Sequence, residues 1–401
     1  MKRRTFLKTS SLVTASALVP RFLQGTAALL GGGVGGHRNL VVVQLSGGND
    51  GLNTVVPIGN DIYHNLRPQL GLQGNEVLGL TDEWGFNANL TGLRALYDRG
   101  LVTVVHGVGY PEPNRSHFRS MDVWHTASTG NEYISSGWLG RYLDDLQHAQ
   151  PYHALESSET LSRVLKGAQQ SGLAMDDLER FLKGVQDPAV QAVCQSTHHH
   201  HAEEHHHAQV AYLHQTLTRT VDSAAYLKAH RPVKNPSVEY PQSKLSAQLR
   251  DVAGFIGAGS ETKVYYTGMG GFDTHANQQG SQGRLLKQLG DSLEAFVRDL
   301  ESRNRLNDTL VLVFSEFGRR VKQNAGRGTD HGTANCVFVI GNQLKVPGML
   351  GTPPNLADLD NGDLKFTTDY RSIYAGILRD WLGANHARII DPAVQVLPII
   401  K

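Results

Sequence analysis

Five short apolar runs constrain this chain more than any other feature: Leu40-Val41-Val42-Val43-Gln44-Leu45, Leu101-Val102-Thr103-Val104-Val105, Lys263-Val264-Tyr265-Tyr266-Thr267, Leu310-Val311-Leu312-Val313-Phe314 and Cys336-Val337-Phe338-Val339-Ile340. A run of this length without polar alternation has no face to give to water, so each predicts a strand covered on both sides. Between the third and fourth runs, Leu285, Leu286, Leu289, Leu293, Phe296, Val297 and Leu300 recur at helical spacing on one face, which predicts a covering helix. A second helix is predicted from Tyr370 to Leu382, with Thr368 or Asp369 as N-cap and Ile373, Ile377, Trp381 and Leu382 on its apolar side. Strands alternating with helices imply an α/β fold, a mostly parallel sheet flanked by helices. Residues from about 140 to 255 carry Leu143, Leu146, Leu161, Leu165 and Leu178 but few strand signals, so a helical insertion or cap is expected there. The α/β domain is expected to run from residue 37 to 401.

A chain of 401 residues, 40% apolar, can bury a substantial core. Thirty-eight basic and 37 acidic side chains leave a formal charge of +1; no global field recruits nucleic acid or an anionic membrane. Cys194 and Cys336 cannot form a disulfide framework, and neither belongs to a C-x-x-C pair.

The first residues, Lys2-Arg3-Arg4-Thr5-Phe6-Leu7-Lys8, precede an uncharged, small-residue stretch from Thr9 to Pro20 and then Arg21. The order resembles a twin-arginine export signal. The stretch falls short of the ~20 residues a spanning helix needs, so residues 1–30 are expected to be a signal peptide and linker, with no stable membrane anchor. Gly25-Thr26-Ala27 offers a small-residue cleavage site, and a periplasmic or otherwise exported location follows. Twin-arginine substrates cross already folded, which suits a chain carrying a cofactor loaded in the cytoplasm. The run from His198 to His207 could place His201 and His205 on one helix face for a transition metal; such runs are more often solvated surface.

In an open α/β sheet, ligands bind beyond the carboxyl ends of the strands. The first strand runs into Ser46-Gly47-Gly48-Asn49-Asp50-Gly51, the third into Gly270-Gly271-Phe272-Asp273-Thr274-His275 and the fourth into Ser315-Glu316-Phe317-Gly318-Arg319-Arg320. Gly328-Thr329-Asp330-His331-Gly332 precedes the last, and Asn114-Arg115-Ser116-His117-Phe118-Arg119 follows the second. Asp50, Asp273, Glu316 and Asp330 are thus expected to gather at one sheet end. Two such charges 4 Å apart repel by ~4 kcal/mol at an effective dielectric near 20, so a cation is expected among them. His275 and His331 add imidazole nitrogens, a donor mixture suited to one or two divalent ions of zinc, manganese or iron. Singly, each has a structural reading, an Asp after a strand as a helix cap and a His as a packed or exposed ring; the joint placement carries the inference. Arg319, Arg320, Arg115 and Arg119 could receive an anionic substrate. Ser116 is the best-placed hydroxyl nucleophile, with Ser46 and Thr274 behind it, and water activated by a metal would make all three unnecessary.

The segments SGGNDGLNTVVP, RSHFRSMDVW, GGFDTH, SEFGRR and GTDHGTAN resemble those of the domain-of-unknown-function family 1501, exported bacterial proteins with twin-arginine leaders. The resemblance spans residues 39 to about 385. That family is in turn similar to the alkaline phosphatase and sulfatase superfamily, which implies two metals at the carboxyl ends of a parallel sheet. By that resemblance Asp50 is the first-strand acidic ligand, Asp273 and His275 are the Asp-and-His pair on one metal, and His331 completes its shell. The motif that is Asp-His in the superfamily reads Glu316-Phe317 here, one imidazole fewer, and Ser116 falls where the nucleophile is expected.

The leading expectation is an exported metal-dependent hydrolase of phosphate or sulfate esters acting on a small anionic ester. The alternative is a catalytically inactive metal- or ligand-binding envelope protein on the same scaffold. A purely structural envelope protein leaves the acidic convergence unexplained.

Overall fold

The computed structural model describes residues 38–196, 208–232, 236 and 238–401. The expected leader, the glycine-rich linker and the histidine run from 198 to 207 lie outside the described residues.

Nine strands form one sheet: β1 (Asn39–Leu45), β2 (Val102–Gly109), β3 (Ala154–Glu156), β4 (Leu173–Ala174), β5 (Val264–Met269), β6 (Thr309–Ser315), β7 (Asn335–Ile340), β8 (Gly348–Leu350) and β9 (Thr368–Asp369). Their order is β8-β2-β7-β6-β1-β5-β3-β4, with β9 also paired to β2. β7 runs antiparallel to both β2 and β6, and the other pairings are parallel. The sheet is therefore mixed and mostly parallel. All five apolar runs lie in it.

The helices are α1 (Thr91–Asp98), α2 (His117–Thr126), α3 (Trp138–Asp145), α4 (Ala208–Ala229), α5 (Lys244–Gly257), α6 (Gln278–Ser302) and α7 (Tyr370–Gly376), besides shorter ones. Because side chains alternate across a strand, β1 sends Val41, Val43 and Leu45 to one face, against Leu93 of α1, Leu249 of α5 and Leu289 of α6. Leu40 and Val42 go to the other, with Trp124 of α2, Leu139 of α3 and Tyr374 of α7. Two helical layers thus close over one sheet, which explains why its strands read as continuous apolar runs. Asp369 caps α7 by accepting a hydrogen bond from the Arg371 amide, and a π turn continues it through Trp381. The Trp381 indole donates to the Asn39 carbonyl at 3.0 Å, fastening that end to β1.

The segment expected to be a helical insertion contributes more than helices. β3 and β4 extend the sheet beyond β5, and α5 packs its buried Leu245, Leu249 and Val252 into the core. Strands of three and two residues are too short to write a periodicity. Among the described residues, no helix is long and apolar enough to cross a membrane.

Candidate metal centre

Strand direction decides what meets at the sheet's end. β1, β2, β5 and β6 all point the same way, so the loops after them emerge at one edge. β7 points the opposite way; the loop before it, carrying Asp330 and His331, arrives at that same edge. The chain leaving β2 starts α2 there with His117 as its first residue.

These loops are packed backbone to backbone. Gly47 has φ +118°, and a Cβ on it would lie 2.4 Å from the Asp273 amide nitrogen, so only glycine fits. Its amide donates to Glu316 Oε1 at 2.8 Å. Arg319, 1% exposed, pins the loops from inside. Its Nε donates to the Gly48 carbonyl, Nη1 to that of Thr329, and Nη2 to those of Gly47 and Phe272 and to Asp273 Oδ1 at 2.7 Å.

On this base His117, Asp273 and His331 come together, their potential ligand atoms all within 4.8 Å of one another. The ring nitrogens can be assigned from their partners. His331 Nδ1 is 2.8 Å from the Arg115 carbonyl oxygen, which only accepts, so Nδ1 carries a hydrogen; Nε2 faces Asp273 Oδ1 at 3.0 Å. His117 Nδ1 lies 2.9 Å from Glu316 Oε1, and its Nε2 faces Asp273 Oδ2 at 3.5 Å. In both rings the outer partner fixes Nδ1 as the donor and leaves Nε2 directed at one carboxylate. That is how proteins orient metal-ligating histidines, with a carbonyl or carboxylate behind the ring. With the hydrogen on Nδ1, the neutral ring turns the Nε2 lone pair toward the Asp273 side.

Asp273 also receives His275, whose Nδ1 is 3.1 Å from Oδ1. Partial burial works to raise the Asp273 pKa. The hydrogen bonds from His331 and Arg319, with the charges of Arg319 and His275, overcome it and hold the carboxyl at about 2. The Asp273 side chain is 47% exposed and His117 33%, so the cluster is open to solvent. Two imidazole nitrogens and a carboxylate fit zinc, manganese or iron, and three protein ligands leave coordination positions for a substrate.

The remaining expected site residues are placed differently. Asp50, expected as a ligand, is paired with Arg67 at 2.6 Å, both side chains fully buried; it accepts a further hydrogen bond from Gln278 Nε2. Its charge is thus neutralised by an arginine of its own. Glu316, also fully buried, stands behind His117, and its carboxylate is shared with the Gly47 amide and the Ser315 hydroxyl. Asp330 is exposed and accepts from Asn324 Nδ2 at 3.1 Å. Arg319, expected to meet an anionic substrate, is buried with Nε, Nη1 and Nη2 all engaged. Arg115 is paired with Asp363, and Arg119 donates to the carbonyls of Thr129, Gly130 and Glu132. Ser116 is the exposed N-cap of α2, and its hydroxyl makes no cap bond. Ser46 is exposed and Thr274 buried. His117 is the residue the sequence reading passed over; it lies in RSHFR, directly after a strand-end loop.

Fold and cluster together define an α/β protein with a histidine–carboxylate group at the carboxyl ends of a mostly parallel sheet. Residues 103–392 match the family described as "Protein of unknown function (DUF1501)", and the chain belongs to it. Its structure is similar to the lipoteichoic acid synthase LtaP from Listeria monocytogenes at 9% identity, covering 78% of this chain and 67% of that one (TM-score 0.35). It is similar to a protein in the alkaline phosphatase superfamily from Vibrio parahaemolyticus at 9% identity, covering 79% and 62% (TM-score 0.36). The PsFucS1 sulfatase from Pseudoalteromonas sp. is similar at 8% identity, covering 82% and 66% (TM-score 0.37). No curated protein matches the chain.

Proposed function

We propose that the chain is a metal-dependent hydrolase of phosphate or sulfate esters, with a divalent ion held by His117 Nε2, His331 Nε2 and the Asp273 carboxylate. One observation carries this reading: two imidazoles whose Nδ1 atoms are already committed to Glu316 and Arg115 both turn Nε2 toward one carboxylate. When bound, a divalent ion supplies a Lewis acid that polarises a phosphoryl or sulfuryl oxygen and lowers the pKa of water toward ~7. The reaction joins a water oxygen to phosphorus or sulfur and breaks the ester bond, with a proton passing to the leaving alcohol oxygen. His275, half exposed beside Asp273, is placed to carry that proton. Glu316 and the Arg115 carbonyl hold the two rings in orientation, and Arg319 holds Asp273 ionised.

Elemental analysis of protein folded in the cell, followed by turnover of aryl phosphate and sulfate panels, tests this. We expect about one divalent ion per chain, lost with His331→Ala, and turnover abolished by Asp273→Ala. Absence of a retained ion, or turnover indifferent to both substitutions, overturns it. A second reading, a binding protein without turnover, is favoured by the exposed Ser116 hydroxyl, which makes no cap bond, and by the engagement of Arg115, Arg119 and Arg319. It predicts the ion without any hydrolysis. We propose also that the protein works outside the cytoplasm after twin-arginine export. Fractionation of the same cells checks this, and retention in the cytoplasm refutes it.

A further inference from the structure

Beside the cluster lies a cavity of about 300 Å³ walled by Tyr110, Phe317, Ala334, Leu364 and Phe366. The Phe317 ring is common to both sites, its centroid 4.9 Å from that of His117 and 4.8 Å from that of His331. Gly48 keeps it there, since a Cβ on that residue would lie 2.1 Å from the ring. Several polar groups of the lining are already engaged. The Tyr110 hydroxyl donates to Ser120 Oγ, Thr333 Oγ1 to the Leu364 carbonyl and Lys365 Nζ to Asp358, while Asp360 accepts from Asn361. The larger walls, Tyr110, Phe317, Leu364 and Phe366, offer a guest apolar and aromatic contact. An apolar cavity of ~150 Å³ admits benzene; twice that volume takes a fused bicyclic ring or a ring with a substituent.

We propose that this cavity is the subsite for an aromatic group of the ligand whose anionic end is held at His117, Asp273 and His331. The substrate class is then an aryl ester, with its ring against Phe317 and Phe366. This rests on the metal-centre reading above, and the test separates the two.

The probes are 2-naphthylphosphonate and methylphosphonate, which share the anion and resist hydrolysis, titrated calorimetrically into zinc-loaded full-length protein. The naphthyl compound is expected to bind at least tenfold more tightly. Phe366→Ala, which removes a partly exposed wall, is expected to cut the preference to threefold or less with zinc stoichiometry unchanged; Leu364→Ala acts in the same direction. A preference under tenfold, or one that Phe366→Ala leaves intact, overturns the subsite. A preference that persists while no ester is turned over overturns the hydrolase and leaves the subsite standing. Naphthylphosphonate binding unaffected by removing zinc overturns the link between cavity and metal centre.

Discussion

Replacing Asp50 by Asn separates a structural carboxylate from a metal ligand. Asp50 and Arg67 are both without solvent exposure, and the guanidinium makes two contacts to the carboxylate, at 2.6 and 3.1 Å. Arg67 also donates to the carbonyls of Val321 and Arg320, tying the segment between β1 and α1 to the chain beyond β6. Removing one partner of such a pair leaves the other charge buried and uncompensated, which costs about 3–5 kcal/mol. Asp50→Asn and Arg67→Met should each lose that amount in urea unfolding. The double variant should lose less than their sum, because no bare charge then remains. Zinc stoichiometry of the folded Asp50→Asn protein, measured at low temperature, should equal that of the wild type. If Asp50→Asn strips the metal while stability is unchanged, Asp50 is a ligand and the argument from its arginine fails.

Glu316→Ala should weaken zinc binding by about 10–100-fold, because the His117 ring loses the carboxylate that orients it; competition with a chelator reads this, and unchanged affinity would remove Glu316 from the centre. Stability should fall as pH drops from 7 toward 5. Burial holds His125 at about 3, with the charge of Arg163 adding to it, and burial holds His106 at about 4. Both folded-state values lie below the unfolded ~6.5, so the unfolded chain takes up protons first and each ring costs about 2 kcal/mol by pH 5. Urea midpoints that stay flat over this range would contradict it.

The five long strands and the helix covering β5 to β6 were legible because burial on both faces leaves an unmistakable composition. β3 and β4 were not, since three residues cannot show a pattern, and neither was the reversed direction of β7, which is set by tertiary pairing. At the site, Asp273 and His331 were legible as strand-end residues. Asp50 looked equivalent to them; what distinguishes it is Arg67, a nearby residue whose pairing no motif announces. Glu316-Phe317 read as a missing imidazole, yet a ring does arrive against Phe317, supplied by His117 from another segment. A single histidine after a strand has no local signature, and the carboxylate that orients it is 199 residues away.

From the loop after β6, one guanidinium gathers carbonyls of the loops that follow β1 and β5 and of the segment before β7. The proposed cation site therefore exists only where those separate stretches are stacked and locked by Arg319. A partly folded chain presents only scattered imidazoles and acids, free to take whichever ion is abundant. If the centre holds a divalent ion as proposed, the choice of metal would fall to the compartment in which these stretches come together, and the identity of the captured ion would record where the molecule finished folding.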